Sequence, residues 1–320
     1  MRKATLLYNP DSGRSGRRRL AELESALAVL RSGGVEAALV PTDSKAHAKE
    51  QTQDAINSGC DTIFACGGDG TINTVAQVLT NSQVALAILP MGTANALAYD
   101  IGLPLNVIAA AKASLTAKHR RIAVGRVEYV NLEGTPSSRY FILAAGVGVD
   151  AHLFYKLQSG AKQRMGMTAY YAKAWNLWFT YPMTRFVIDY LKNGSNAPEQ
   201  ADVTELLAVR IRNFGGVVQE LAPGASLDRD DMRLVFARTA SRLAYLGYVI
   251  RCLLRRKWSI PGIDLVSSTK VSCHYKASSS TSESENHRKI YVEADGDLLG
   301  TLPAEITIVP DALTLLAPSR

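Results

Sequence analysis

Gly67-Gly68-Asp69-Gly70-Thr71 is the densest chemical signal in the sequence. It follows an apolar run, Thr62–Cys66, and precedes apolar residues at helical spacing, Ile72, Val75, Ala76 and Leu79, so it reads as a strand-to-helix turn. The first backbone N–H groups of a helix have no intrahelical partners, and glycine lets phosphate oxygens approach them. The carboxylate of Asp69 would repel a phosphate unless a divalent cation stood between the two. A tight turn in which glycine only supplies positive φ and Asp69 caps the helix is the plainer reading. Pro90-Met91-Gly92-Thr93-Ala94-Asn95 repeats the arrangement after the run Val84–Leu89, with Thr93 and Asn95 able to cap a helix or to face a ligand. Asn9-Pro10-Asp11-Ser12-Gly13 follows a third run, Ala4–Tyr8. In a parallel sheet all three turns lie at the carboxyl ends of the strands, the side on which ligands bind. Far along the chain, Tyr291-Val292-Glu293-Ala294-Asp295-Gly296-Asp297 sets two carboxylates on a turn after a strand. In a kinase, one such aspartate can accept the proton from an attacking hydroxyl while its partner orients it or faces the metal. An ordinary Asp-Gly hairpin accounts for the same residues without chemistry.

Two further patterns carry less. Gly146-Val147-Gly148-Val149-Asp150-Ala151 fits G-x-G-x-x-A, but no acidic residue follows at the offset of about 20 that a dinucleotide site requires. It reads as a glycine-rich strand end. No G-x-x-x-x-G-K-[ST] occurs, which excludes a P-loop.

The elements that would carry these turns alternate through the first third. Strands at Ala4–Tyr8, Val35–Val40, Thr62–Cys66 and Val84–Leu89 are separated by helical stretches through Leu20–Leu30, Lys45–Asn57 and Ile72–Leu79, and Ala94–Tyr99 forms a short helix. That order predicts an α/β domain with a mostly parallel sheet in three layers. From about Arg120 the texture changes to short runs rich in Val, Ile, Phe and Tyr. They are Ile122–Val130, Tyr140–Ala144, Arg185–Leu191, Leu206–Arg212, Leu234–Ala237, Val271–Tyr275, Ile290–Glu293 and Ile306–Val309. Two stretches there, Thr168–Tyr181 and Leu243–Lys257, look helical, so the second part is expected to be a β-rich sandwich. Ala277–His287 is polar and expected to be a loop.

At 320 residues, with 47% apolar and 20% charged side chains, the chain exceeds one ordinary core and is not a disordered protein. The longest apolar stretch, Leu243 to Leu254, is interrupted by Arg251, so no membrane span is expected. The start reads as mature protein without a signal peptide. Four scattered cysteines signal neither a zinc site nor a disulfide framework and suit a reducing cytosol. The net charge of +7 points to an anionic partner: a nucleotide, a nucleic acid or an anionic membrane surface.

Asn9-Pro10-Asp11-Ser12-Gly13, Thr42, Gly67-Gly68-Asp69-Gly70-Thr71 with Asn73, Pro90-Met91-Gly92-Thr93-Ala94-Asn95 and Asp295-Gly296-Asp297 occur in the order found in the diacylglycerol-kinase catalytic family. The chain resembles a bacterial soluble lipid kinase of that family, related to diacylglycerol and sphingosine kinases, over nearly its whole length. The resemblance implies a nucleotide-binding α/β domain at 1–123, rejoined by 311–320, and a β-sandwich lipid-substrate domain at 124–310. It implies ATP and Mg²⁺ as cofactors and a cleft in which ATP meets a lipid hydroxyl. Asn9, Ser12, Gly13, Thr42, Gly67, Gly68, Asp69, Gly70, Thr71, Gly92, Thr93 and Asn95 would hold the nucleotide. Asp69 would anchor the metal, and Asp295 with Asp297 would form the catalytic pair. The implied partner is a membrane lipid and not a nucleic acid, with peripheral contact to an anionic inner membrane face. Trp175, Trp178, Phe179 and Tyr181 with Lys173, and Trp258 with Arg251, Arg255, Arg256 and Lys257, are candidate contacts.

The chain departs from the family pattern in several places. Ala96 and Tyr99 stand where the family has Asp and Arg, and Asp297 replaces a glutamate. Around Asp228-Arg229-Asp230-Asp231 the family has an Asp-Asp-Gly turn that holds a structural Mg²⁺, which leaves Asp228 as a candidate metal ligand. An NAD kinase, also similar at GGDG, and a nucleotide- or lipid-binding regulator without catalysis remain as alternatives.

Overall fold

The computed structural model describes residues 1–10, 16–149, 151, 183–195, 197–215, 220–256, 258–276 and 289–318. Asp11, Ser12, Gly13, Lys257, the expected helix at 168–181 with its aromatic cluster, and the polar stretch 277–287 fall outside these, whereas Gly67–Thr71 and Pro90–Asn95 are described throughout.

The first part alternates as its periodicity predicts. It runs β1 (Lys3–Tyr8), α1 (Gly16–Ser32), β2 (Glu36–Pro41), α2 (Lys45–Asn57), β3 (Thr62–Gly67), α3 (Asp69–Leu79), β4 (Ala85–Pro90), α4 (Ala96–Asp100) and α5 (Val107–Thr116). The strands lie parallel in the order β2-β1-β3-β4. Every residue of β3 and β4 is buried, because helices cover both faces of a parallel sheet. α5 was not anticipated from the sequence. Asn106 starts it by accepting a hydrogen bond from the Ala109 N–H at 3.0 Å.

The second part is β-rich: β5 (Lys118–Asn131), β6 (Pro136–Phe141), β7 (Ala144–Gly148), β8 (Phe186–Lys192), β9 (Glu199–Val203), β10 (Glu205–Val209) and β11 (Met232–Ala237). Then come α6 (Arg242–Leu253), β12 (Ile263–His274), β13 (Tyr291–Ala294) and β14 (Asp297–Ala317). The expected sandwich takes the form of a closed ring, β14-β13-β7-β10-β11-β12, because β12 also pairs with β14 through Val271↔Ile306. One strand can do both since β14 spans 21 residues. A core of Val147, Phe186, Leu206, Phe236, Val292 and Ile306 fills the ring. Gly146 and Gly148 lie in β7 and not in a dinucleotide turn.

Two long strands tie the parts together. β14 runs antiparallel to β5 from Gly300↔Asn131 to Ala317↔Lys118, and its last residues add in parallel to β4 at Thr314↔Ala85. The β5–β14 register breaks between Val309 and Leu313, where Asp311 has φ 49°. Before that break β14 serves the ring core through Ile306, and after it Leu313 and Leu315 join Leu6, Phe64 and Leu86 in the core of the parallel sheet. Among the described residues no helix is long and apolar enough to cross a membrane.

Candidate functional site

The turns after β3 and β4 lie together at the carboxyl edge of the parallel sheet, with Asn9 at the end of the neighbouring β1. Gly68 opens α3 without a side-chain cap, and the Thr71 and Ile72 N–H groups both return to its carbonyl at 2.9 and 3.1 Å. Gly92 packs against Gly68 so closely that a Cβ on Gly92 would strike the Gly68 Cα, while Gly70 faces open space. Two backbones in contact, with no side chain between them, form a cradle that only glycine permits. Gly67 is buried, and a Cβ there would meet the Thr71 hydroxyl at 2.5 Å.

Asn95 and Thr42, which the resemblance places at the nucleotide, bond the backbone of their own neighbourhoods. The buried Asn95 side chain closes its own turn: its Oδ1 accepts from Gly92 N–H and its Nδ2 donates to the Gly92 carbonyl, both at 2.9 Å. This turn chemistry lets Asn95 adopt the left-handed conformation, φ 49°. Thr42 is buried and bonds the Tyr8 carbonyl through its N–H at 2.7 Å and its hydroxyl at 3.2 Å, fixing the end of β1. Thr93 is exposed beside the cradle, and Asn9 is half-buried at the end of β1.

Asp69 stands at the start of α3, with its Oδ1 accepting from the Leu97 N–H of α4 at 3.4 Å. Burial raises its pKa, and the groups that offset burial are backbone N–H groups and not cations. A half-buried carboxylate without a cationic side chain fits a divalent ion whose remaining ligands come from phosphate oxygens. One turn on, the buried Asn73 accepts from Gln77 Nε2 at 2.6 Å, and its own Nδ2 has no hydrogen-bond partner among the described residues. Gln77 clasps the Tyr140 backbone, donating to its carbonyl at 2.8 Å and accepting its N–H at 3.0 Å. α3 is thereby joined to the end of β6.

That junction holds the distal acid. The run Tyr140–Ala144, which reads as one strand, is split between β6 and β7. The N–H groups of Ile142, Leu143 and Ala144 turn to the Asp295 carboxylate at 2.9, 2.8 and 3.1 Å. Asp295 itself is in the left-handed region, φ 48°, on the β13–β14 turn. Burial pushes its pKa up to about 6 despite these three donors. Oδ1 takes two of the donors and Oδ2 one, which leaves an Oδ2 lone pair for an incoming hydroxyl.

Asp297 is not an equivalent second acid. Its Oδ2 accepts from Lys45 Nζ at 2.6 Å and from Arg139 Nη2 at 2.7 Å. Burial would raise its pKa, but the two cations outweigh burial and hold it below the ordinary value. Lys45 belongs to the first turn of α2, so this ion pair spans the two parts of the molecule. Neither Lys45 nor Arg139 stood out in the sequence, since a lone cation in a helix or strand carries no spacing signal.

The candidate metal turn at Asp228 is held by arginine contacts in this structure. Asp228 pairs with Arg120, and the buried Asp231 receives both Arg229 Nε, at 2.7 Å, and Arg229 Nη2. Asn193 also donates to Asp231 at 2.6 Å. The fully buried Arg210 donates to the carbonyls of Arg229, Asp231 and Ala123, and burial lowers its pKa to about 10. Guanidinium groups thus bond the carboxylates of Asp228 and Asp231 and the carbonyls of Arg229 and Asp231. No group of three or more His, Cys, Asp or Glu suited to a metal occurs among the described residues. The departures at Ala96 and Tyr99 accompany another contact between the two parts. The neighbouring Asp100 is buried and accepts the N–H groups of Arg212 and Asn213 at 2.8 and 2.9 Å.

A parallel sheet with a glycine cradle at its carboxyl edge, facing a β-rich part that supplies a buried aspartate, defines a two-part phosphotransferase. Residues 3–127 match the diacylglycerol kinase catalytic domain, and relatives similar over nearly the whole chain are diacylglycerol kinases. A diacylglycerol kinase of Staphylococcus saprophyticus is 25% identical over 320 residues, covering 99% of this chain and 96% of its own. One from Bacillus subtilis is 26% identical over 308 residues, covering 95% and 93%. The crystal structure of a diacylglycerol kinase from Bacillus anthracis has the same fold, with a TM-score of 0.69 at 17% identity, covering 99% of this chain and 96% of that one. Yeast NADH kinase complexed with NADH is a more distant fold match, with a TM-score of 0.50 at 10% identity, covering 99% and 84%.

Proposed function

We propose that this lipid kinase transfers the terminal phosphoryl group of ATP to the hydroxyl of a diacylglycerol-like or sphingoid lipid at the cytoplasmic face of a membrane. The observation that carries the reading is Asp295: a carboxylate fixed by three backbone N–H groups, with a pKa raised to about 6, is a proton acceptor at neutral pH. The cradle of Gly68, Gly70 and Gly92 would take the phosphates on backbone N–H groups, with Thr71 and Thr93 beside them. Asn95 and Thr42 would act by shaping their turns. Mg²⁺, when bound with the nucleotide, would neutralise phosphate charge, and Asp69 is the side chain suited to hold it. Asp295 would orient the acceptor hydroxyl and take its proton as transfer proceeds. Asp297, neutralised by Lys45 and Arg139, would keep the turn and the two parts in register.

The test is incubation of purified protein with labelled ATP, Mg²⁺ and a total lipid extract, beside an NAD control. Label is expected in a lipid, and Asp69→Asn is expected to abolish it without unfolding the protein. Label in NAD alone would assign an NAD kinase instead. Nucleotide binding with no transfer to either acceptor would assign a regulator.

A further inference from the structure

Helix α6 is apolar on both sides. Its inner face packs Tyr248 and Cys252 against Ala222, Val235 and Ile263, and the Tyr248 hydroxyl donates to the Leu221 carbonyl at 2.6 Å. The opposite face carries Leu243, 80% exposed, with Val249, Ile250 and Leu253, and Leu254 and the 44% exposed Trp258 follow. Leu243, Val249, Ile250 and Leu253 fall on one arc of a 3.6-residue helix, which also carries Arg242, and Leu254 and Trp258 lie beyond its end. No described residue covers that arc. A surface helix normally turns polar side chains outward, and a contiguous exposed apolar patch marks an interaction site.

Charge selects the occupant. Between Met232 and Ile263 the sequence has seven Arg or Lys and no Asp or Glu. Arg255 and Arg256 are exposed directly beyond the end of α6, beside Trp258. An apolar strip edged by cations and a tryptophan matches the boundary between acyl chains and anionic headgroups. In a symmetric pair with a second copy of the chain, the same cations would be set against one another.

We infer that the outer face of α6 is a membrane-docking surface for an anionic leaflet. The inference rests on the lipid-kinase reading and gives it a route to substrate. The segment leaving β10 reaches α4 through Asp100 and then α6 through Leu221, and α4 begins at the Gly92–Asn95 turn. Because the membrane contact joins a shallow apolar insertion to surface charge, it is reversible and partly salt-sensitive.

The test compares the full chain with Leu243→Gln/Ile250→Gln/Leu253→Gln and with Arg255→Gln/Arg256→Gln. Each is assayed for sedimentation with phosphatidylglycerol–phosphatidylcholine vesicles and with pure phosphatidylcholine vesicles. The parent protein is expected to prefer the anionic vesicles. The apolar variant is expected to lose at least tenfold in vesicle affinity at every salt concentration. The arginine variant is expected to lose mainly the preference for anionic vesicles. Both variants should keep the parent melting midpoint and turnover of a short-chain, water-soluble diacylglycerol. Undiminished vesicle binding by the apolar variant overturns the proposal. So does a parent protein that ignores vesicles but dimerises through this face, with the apolar variant monomeric. Vesicle binding lost as expected, with no phosphorylation of the soluble lipid by the parent, would instead sink the kinase reading and leave the docking face standing.

Discussion

Asp295→Asn separates the chemistry of the site from its stability. Raising a carboxyl pKa from 3.8 to about 6 means that keeping Asp295 ionised at neutral pH costs the native state about 3 kcal/mol. Asparagine removes that charge. Its Oδ1 can still accept from Leu143 and Ala144, but its amide meets the Ile142 N–H as donor against donor, at a cost of about 1–3 kcal/mol. The net change therefore lies between zero and about 2 kcal/mol of stabilisation, so Tm should stay level or rise by several degrees, at roughly 2–4 °C per kcal/mol. Activity should fall by about 10²–10⁴-fold, the usual contribution of a general base. The linkage has a definite sign. Below pH 3.8 both native and unfolded chains hold this proton and the penalty is absent; it develops as pH rises through about 6 and is constant above. The Tm advantage of the variant should therefore grow between about pH 4 and pH 6.5 and then level off. Parent kcat/KM should drop about tenfold per unit below pH 6. Thermal melts across this pH range, with lipid phosphorylation measured in parallel, provide the assay. A variant that melts many degrees lower, or retains turnover, would refute the assignment of Asp295 as a strained proton acceptor.

Asp297→Asn should behave in the opposite way. It strips the counter-ion from Arg139 and Lys45, so Tm should fall by several degrees. Because the native pKa of Asp297 lies below 3.8, its stabilisation should be present above that value and fade as pH drops below it. An unchanged midpoint at pH 7 would show that the ion pair contributes nothing. Gly92→Ala drives a Cβ into Gly68 and should weaken nucleotide binding at least tenfold, with about 1–3 kcal/mol lost to overpacking. Calorimetric titration with a non-hydrolysable ATP analogue checks this, and parent-like affinity would place the phosphates elsewhere. With no nucleotide present, neither chelator nor Mg²⁺ should move the parent Tm, since Arg229 and Arg120 already neutralise the Asp228–Asp231 turn. Arg229→Ala should lower Tm and make it respond to Mg²⁺, whereas a parent midpoint that falls with chelator would restore a structural metal.

The local order of the first part was legible because it is written in short-range terms. Leu20, Leu23, Leu27 and Leu30 repeat at helical spacing, and Gly67–Thr71 and Pro90–Asn95 punctuate apolar runs that are buried on both faces. A parallel sheet then brings those turns to one edge. The roles of the individual polar groups were not legible, because they depend on contacts between distant segments. Lys45 and Asp297 are 252 residues apart, and Asp295 meets its three backbone donors across 151 to 153 residues. Nothing near Asp295-Gly296-Asp297 indicates that one carboxylate will be surrounded by N–H groups and the other by cations. That asymmetry arises because the β13–β14 turn lies between β7 on one side and α2 with β6 on the other. The pairing of β13 with β7 sets Asp295 against the Ile142–Ala144 break, and the start of β14 holds Asp297 beside Arg139 and the first turn of α2. The metal turn shows the same limit. The Arg229 interruption was visible in the sequence, but only the fold brings Arg120 and the buried Arg210 to that turn and satisfies its acids and carbonyls with guanidinium groups.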